Sequence, residues 1–324
     1  MLRTTYRVNN KCLEVLLMKL YPKNFSTAVH NCNLSGISLS RYFLDIEIVL
    51  NETTEDEILR QMEKNLSVME KAAAKGIAGV TSFSGLTGGD AKRLAAFRAT
   101  GSPFGDSLYL EAMIQSLAVN EVNAAMGVIC ATPTAGSSGV LPGALLTMRD
   151  KLNLDRRAQL NFLITAGGTG ALIGNQASIS GAEGGCQAEV GSASAMTAAA
   201  LVEAAGGSPS QSAHALAIAL KNLLGLSCDP VASLVEVPCI KRNAVGVVNA
   251  IAAAEMALAG IESRIPVDEV IQAMGSIGRM MPMALRETAL GGLAQTPTAC
   301  RMTAMLQQEG HIPWPFPAAG RNED

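Results

Sequence analysis

The sequence has few charged residues, few aromatic residues and no excess of basic ones. Of its 324 residues, 16% are charged and 4% are aromatic, and the net charge is −3. Domains that bind nucleic acids carry a basic patch or stripe. This composition therefore argues against a nucleic-acid partner.

The chain also lacks a long apolar run and a secretory signal. Its best apolar window, residues 243–261, contains Asn249 and Glu255, whereas a membrane-spanning helix needs about 20 predominantly apolar residues. The apolar stretch at residues 13–20 is short, carries two charges and precedes no small-residue cleavage site. We interpret residues 243–261 as a buried core helix, and we predict no membrane partner.

Cysteine pairs with short spacing are missing. The seven cysteines are an odd number, and no two of them form a CxxC pair. Secreted disulfide frameworks have an even number of cysteines, and zinc ribbons and thioredoxin-like motifs use CxxC pairs. In a reducing cytoplasm, cysteines serve more often as ligands or catalysts than as disulfides. We therefore predict a cytoplasmic protein.

The residues that are abundant favour helices. Apolar residues make up 48% of the chain, mostly without rings, and 31 glycines interrupt them. No alternating run predicts a strand. Thr54 and Glu57 have the spacing of a capping box, and Gly76 is a candidate helix stop. Ser208 and Pro209 form a second helix start. The sequence predicts a mainly α fold with functional groups on glycine-rich loops.

Three segments differ in character. Residues 1–35 have no sustained period and form an atypical N-terminal extension. Residues 36–298 are predicted to be a single helical catalytic domain. Residues 299–324 are proline-rich at their end, and we predict a disordered tail there.

Cys186, Cys228 and Cys239 have unusual neighbours. Each has a Gly, Pro or Asp as a direct neighbour, which is typical of loops and helix ends. Three thiolates from separate segments could hold a [4Fe–4S] cluster and leave one iron without a protein ligand. Their spacing alone favours three ordinary buried cysteines instead.

Several long strings make the chain similar to a known family. They include GLTGGDAK, NEVNAAMG, ICATPTAGSSGVLPG, NQASISGAEGGCQAEVGSAS, KNLLGLSCDPVASLVEVPCIKRNAVG and LRETALGGLAQTPT. The chain resembles the alpha chain of bacterial iron–sulfur-dependent L-serine dehydratases from about residue 36 to about residue 298. The first 35 residues and the part after Thr298 depart from the pattern.

The resemblance implies a function and a partner. It implies that Cys186, Cys228 and Cys239, carried on glycine-rich loops, hold a [4Fe–4S] cluster that acts as a Lewis acid on the hydroxyl of L-serine. The products would be pyruvate and ammonia. It also implies a separate beta chain that completes the enzyme.

The residues that bind substrate and move protons are less evident. We predict Lys221 and Lys241 as candidate bases, because a lysine with a lowered pKa can take a proton. For the substrate carboxylate, the candidates offer N–H or O–H donors: they are Thr87, Gly88, Thr134, Ser137, Arg242 and Asn243. The same residue types are also typical of solvated surface charges and of tight turns, which have no catalytic or binding role.

Three alternatives remain open. A pyridoxal-phosphate eliminase would perform the same net reaction and use GGTGALIGN, residues 167–175, as a phosphate loop. A non-catalytic electron carrier would need a fourth cluster ligand such as Cys130 or Cys300. A cluster-dependent cysteine desulfidase would eliminate sulfide instead of water.

Overall fold

The computed structural model describes residues 22–101 and 103–311, and within these ranges the chain is helical. Thirteen α-helices are joined by turns and loops, and the only β structure in the described part is two isolated bridges. This confirms the prediction of a mainly α domain. The helices are α1 Phe25–Ser35, α2 Leu39–Leu50, α3 Glu55–Ala78, α4 Asp90–Thr100, α5 Ser107–Ala124, α6 Val140–Lys151, α7 Arg156–Gln176, α8 Gly181–Gly184, α9 Ser192–Ala204, α10 Pro209–Lys221, α11 Cys239–Leu258, α12 Val267–Met280 and α13 Pro297–Gln308.

The predicted start of α3 is confirmed, but its predicted end is wrong. The Thr54 hydroxyl accepts a hydrogen bond from the Glu57 N–H, and the Glu57 carboxylate accepts one from the Thr54 N–H. The helix passes Gly76 and ends at Ala78. A Cβ on Gly76 would stand 2.1 Å from the carbonyl oxygen of Ala118. This glycine therefore allows α3 and α5 to cross closely and does not end the helix.

Part of the predicted N-terminal extension belongs to the core. Residues 25–35 form α1, and Phe25, Ala28 and Cys32 are buried with the main apolar cluster. The Asp268 carboxylate accepts hydrogen bonds from the first two N–H groups of this helix. A helix this short is stabilised mainly by tertiary contacts. It can therefore form without a sustained apolar period in its sequence. Residues 1–21 lie outside the described part.

Part of the predicted tail is also helical. Residues 297–308 form α13, with Thr296 as its N-cap and Pro297 as its first residue. Ala299 and Leu306 are buried against the segment around Val231. Thr296-Pro297 is a helix-start signal, and it lies just before the predicted boundary of the tail at residue 299. The proline-rich residues 312–324 lie outside the described part.

The most buried helix is α9. Every residue from Ser192 to Val202 is buried, and the helix packs against α7, α10 and α11. Most of these residues are Ala, Ser or Thr, and small side chains let neighbouring helices approach closely. The predicted core helix at residues 243–261 is α11, which begins four residues earlier at Cys239. No helix in the described ranges is long and apolar enough to cross a membrane.

The glycine-rich string GGTGALIGN lies inside a helix. α7 runs from Arg156 to Gln176 without a break. Gly168 accommodates the ring of Phe43, and Gly170 accommodates the side chain of Met196. The prediction of a pyridoxal phosphate loop at residues 167–175 is therefore wrong, because helical backbone cannot wrap a phosphate group with its N–H groups.

Candidate active site

The fold brings Cys186, Cys228 and Cys239 together. Cys186 opens the π-helical turn Gln187–Gly191 after α8, Cys228 lies on an extended segment after α10, and Cys239 is the first residue of α11. All three side chains are buried, and none forms a disulfide. Two helix starts and one extended segment carry the three cysteines, and their mutual electrostatic influence indicates that they lie close together.

The three thiols influence one another electrostatically. Burial raises the pKa of the Cys186 thiol to about 11. Burial, and then the charges of Glu189, Cys186 and Cys239, raise the pKa of the Cys228 thiol far above its usual range. Burial followed by Cys186 and Glu189 has the same effect on the pKa of Cys239. Three thiolates in one buried place therefore need a bound cation to stabilise them.

The backbone around Cys186 and Cys228 is closely packed. A Cβ on Gly181 would stand 3.1 Å from the Cys228 Sγ and 2.6 Å from Glu189 Oε2. Gly185, which precedes Cys186, has a φ of +74°, a conformation that favours glycine. The Cys228 N–H donates to the carbonyl of Leu285 at 2.8 Å. The glycine at position 181 leaves room for the Cys228 sulfur and the Glu189 carboxylate, whereas a Cβ on Gly185 would stand 2.7 Å from the Met281 sulfur.

Glu189, which the sequence does not predict as a site residue, is an acidic residue beside the cysteines, and Glu287 also lies near enough to affect the pKa values of Glu189 and Cys228. The Oε2 atom of Glu189 lies 3.8 Å from the Cys228 Sγ, and its Oε1 accepts a 2.8 Å hydrogen bond from the Thr134 hydroxyl. Burial raises the pKa of this carboxyl group. The signal that could have identified it is its spacing, because residues three apart in a helical turn share a face and Glu189 follows Cys186 by three.

A polar loop contacts Glu189 through the Thr134 hydroxyl. Residues 131–139 include the predicted Thr134 and Ser137, whose hydroxyl oxygens are 3.1 Å apart. Asn243 fastens this loop to α11: its side chain accepts from the Gly139 N–H and donates to the carbonyls of Gly136 and Cys239. The predicted Asn243 therefore positions the loop and the start of α11 together.

Arg242 is enclosed by protein acceptors. Its Nη1 donates to the Ser227 carbonyl at 2.6 Å, and its Nη2 donates to the Asp229 carboxylate at 2.9 Å. Its charge lies near the Cys186 thiol: burial raises the pKa of that thiol, and the Arg242 charge opposes the rise. The predicted role of Arg242 as a ligand for a substrate carboxylate stays a prediction.

The predicted residues Thr87 and Gly88 belong to a neighbouring loop. The Thr87 and Ser84 hydroxyls each donate at 2.8 Å to the buried carboxylate of Glu236. Glu236 also accepts, through its backbone carbonyl, the N–H of Ile240 at the start of α11. Gly88 approaches the backbone at Val80, where a Cβ would stand 2.4 Å from the carbonyl oxygen. This loop supports the segment that leads to Cys239.

The two predicted bases lie at other positions. The Lys221 ammonium donates to the carbonyl and the hydroxyl of Ser263. Lys241 is more than half exposed and forms an ion pair with Asp90 at the start of α4. Neither of these contacts involves one of the three cysteines. A catalytic role for either lysine stays a prediction.

Two other cysteines have different surroundings. Cys130 lines an apolar cavity of about 460 Å³ together with Met62, Met69 and Met196. Cys300 is exposed on α13 and lines a second cavity with Ser233 and Thr288. These positions give no support to either cysteine as a fourth cluster ligand.

The donor set fits a cluster better than a single ion. In residues 22–101 and 103–311, no three Cys, His, Asp or Glu side chains converge as a single metal ion requires. An iron–sulfur cluster is larger, so its ligands stand farther apart, and its protein ligands are cysteine thiolates. Three buried thiols with a space preserved by Gly181 agree with that chemistry.

Comparisons with known proteins identify close relatives. The family model described as serine dehydratase alpha chain matches residues 22–294. A probable L-serine dehydratase alpha chain of Bacillus subtilis is 61% identical over 262 residues, which cover 81% of this chain and 87% of the relative. The L-serine dehydratase alpha chain of Peptoniphilus asaccharolyticus is 45% identical over 86% of this chain and 96% of the relative. L-serine dehydratase 2 of Escherichia coli is 38% identical over 83% of this chain but only 60% of the relative.

Proposed function

Because the chain belongs to the serine dehydratase alpha chain family, we propose that it is the alpha chain of an L-serine dehydratase, which converts L-serine to pyruvate and ammonia. The observation that carries this proposal is the convergence of three buried cysteines beside the carboxyl group of Glu189. The names of the relatives supply the substrate, and the pocket supplies residues suited to an elimination.

The three cysteines are the cofactor ligands in this proposal. Cys186, Cys228 and Cys239 would hold a [4Fe–4S] cluster, and three protein ligands leave one of its four irons open. When bound, such a cluster supplies a Lewis acid for the departing hydroxyl group, which is otherwise a poor leaving group. The buried position of the thiols excludes water from their sulfur atoms.

Glu189 is the residue of this chain best placed to take the Cα proton. Its Oε2 faces the Cys228 sulfur, and burial raises its pKa, so the carboxylate is a stronger base than an exposed one. The Thr134 hydroxyl fixes the orientation of the other oxygen, Oε1. Loss of the Cα proton and of water from L-serine leaves an enamine. The enamine tautomerises to an imine, which water hydrolyses to pyruvate and ammonia.

The substrate amino acid would lie against the polar loop of residues 131–139. Thr134 and Ser137 offer hydroxyl donors at this loop, and hydrogen bonds to an ionised acceptor are stronger than those between neutral groups. Asn243 keeps the loop at a constant distance from Cys239. Thr87 and Gly88 would act through Glu236, which supports the segment before Cys239.

A second chain would complete the enzyme. The E. coli relative is a single polypeptide of which the match covers 60%, whereas the alpha chains of B. subtilis and P. asaccharolyticus are covered almost fully. The match leaves the rest of the longer relative uncovered, and the name alpha chain, which the B. subtilis and P. asaccharolyticus relatives carry, implies a second chain. We infer that a beta chain supplies the uncovered part, and that this chain has little activity alone.

The test begins with anaerobic purification of the full chain. We expect about four irons and four labile sulfides per chain, and pyruvate formation from L-serine that rises when the beta chain is added. Full activity without a second chain would contradict the partner. Absence of iron after anaerobic reconstitution, together with a lysine adduct trapped by borohydride, would contradict the cluster.

The same assay separates the two cluster enzymes. A serine dehydratase forms pyruvate from L-serine without sulfide release. Faster turnover of L-cysteine, with sulfide as a product, would identify a cysteine desulfidase instead. A chain that holds four irons but turns over neither amino acid with its partner would favour the electron carrier.

A further inference from the structure

Arg242 connects two of the three cysteine segments. Its side chain is only 17% exposed, and that of its partner Asp229 is 5% exposed. One nitrogen donates to Ser227, the residue before Cys228, and the other donates to Asp229, the residue after it. Burial raises the pKa of the Cys186 thiol, and the nearby charge of Arg242 opposes that rise. One side chain of α11 therefore holds both neighbours of Cys228 and places its charge near Cys186.

Asp229 extends this connection to a third segment. Its Oδ1 accepts from Arg242, and its Oδ2 accepts from the Leu293 N–H at 2.8 Å. A Cβ on Gly292 would stand 2.4 Å from the same Oδ2. The Glu287 N–H donates to the Cys228 carbonyl at 2.7 Å. The segment of residues 285–293 is thus fastened to Cys228 and Asp229 at several points.

The geometry leaves Arg242 poorly available to a substrate. A bidentate carboxylate complex uses two parallel N–H groups of one guanidinium edge, and both terminal nitrogens already donate to protein oxygens. Moving the side chain toward a substrate would leave the Asp229 carboxylate buried without its cation, which is strongly destabilising. Its contacts are those of a group that orients ligands.

We propose that Arg242, held by Asp229, is a positioning residue that joins the start of α11 to the segment of Cys228 and keeps a positive charge beside the cysteine ligands, rather than a ligand for the substrate carboxylate. This inference rests on the proposed [4Fe–4S] cluster. The net charge around a cluster adjusts its reduction potential, and groups that orient metal ligands affect metal affinity about 10- to 100-fold.

The experiment compares three variants of the full chain with the wild type. Arg242→Gln removes the cation and the hydrogen bonds, and Asp229→Asn removes the ion pair while it keeps the shape. Arg264→Gln is the matched control, because it removes the same charge from an ion pair whose side chains are 84% and 53% exposed. Each protein is reconstituted anaerobically with iron and sulfide. Iron content, cluster reduction potential, the rate of bleaching in air and the melting temperature without iron are measured.

We expect Arg242→Gln and Asp229→Asn to retain iron about tenfold less tightly than the wild type and to bleach faster in air. The potential of Arg242→Gln should become more negative, because a positive charge near the sulfur favours the reduced cluster. Arg242→Lys should recover part of this potential, since it keeps the charge. Arg264→Gln should match the wild type.

A different outcome would contradict the positioning role of Arg242. If Arg242→Gln and Asp229→Asn keep wild-type iron affinity, potential and bleaching rate, while Arg242→Gln raises the KM for L-serine, the positioning role is wrong and the carboxylate role is supported. If only Arg242→Gln fails to fold, the iron affinity and bleaching rate of Asp229→Asn test the positioning role. A wild-type chain without iron contradicts the proposed cluster itself, and the inference fails with it.

Discussion

Two glycine-rich regions of this molecule, each beside a cysteine, have opposite characters. Residues 167–174 of α7 lie beside Cys130 and border an apolar cavity, and a Cβ on Gly167 would contact nothing. Residues 181–185 lie beside Cys186, where Gly181 faces the Cys228 sulfur and the Glu189 carboxylate. Composition does not distinguish them. The difference lies in what each glycine faces after folding, which is a property of remote segments.

The largest expected effect concerns the cysteines of the two regions. Cys228→Ser should abolish iron binding and serine turnover, because an alcohol oxygen is a poor replacement for a thiolate cluster ligand. Cys130→Ser should keep both. Iron and sulfide analysis of the two purified variants measures this contrast. Equal iron loss in both would show that the cavity beside α7 also serves the cofactor.

The second prediction separates chemistry from cofactor binding. Glu189→Gln has the same shape but cannot take a proton, so turnover should fall roughly 10²- to 10⁴-fold while the iron content stays at the wild-type level. Thr134→Val is a milder companion, since it removes the hydrogen bond to Glu189 Oε1. Wild-type turnover by Glu189→Gln would exclude this residue as the base.

The third prediction sharpens the contrast between glycines. Gly181→Ala places a methyl group 2.6 Å from Glu189 Oε2 and 3.1 Å from the Cys228 sulfur, so iron affinity should fall about tenfold. Gly168→Ala meets the ring of Phe43 at 2.2 Å and should destabilise the fold by about 1–3 kcal/mol. Iron titration and chemical denaturation distinguish the two effects. Iron loss in Gly168→Ala alone would reverse the assignment of the regions.

The smallest expected effect is that of a substitution at Gly167, the residue before Gly168. Gly167→Ala meets open space, and alanine is favoured over glycine inside a helix, so the unfolding free energy should rise by about 0.5–1 kcal/mol. Denaturant unfolding with the wild type as control measures it. A decrease would indicate that the cavity beside α7 has an occupant that the methyl group excludes.

Local signals explain which parts of the fold the sequence predicts. The capping box at Thr54 and the start at Ser208 involve residues three apart, and both occur as predicted. The interpretation of Gly76 as a stop is wrong because Ala118, remote in sequence, requires a glycine there. The sequence places α1 and α13 outside the domain. Contacts with buried partners stabilise these short helices, so their own sequences need no sustained apolar period.

The candidate site also contains some features that local sequence signals predict and others that depend on contacts between remote segments. The resemblance named the three cysteines, and their spacing of 42 and 11 residues could not show that they meet. The three-residue spacing from Cys186 is the one local signal for Glu189, and it gains meaning only when Gly181, Thr134 and Cys228 surround the carboxylate. Arg242 was singled out as a cation, but its acceptors Ser227 and Asp229 become apparent only when the segments pack.

The sequence by itself determined the helical class and the starts of α3 and α10, because the period, the caps and the abundance of small residues act over a few residues. It also determined membership of the family through its long strings. Only the tertiary structure decided which glycines allow helix crossings and which enclose sulfur, and which charged groups meet. Those outcomes depend on contacts between segments far apart in the chain, and burial changes the energy of a thiol or a carboxylate only after these contacts form.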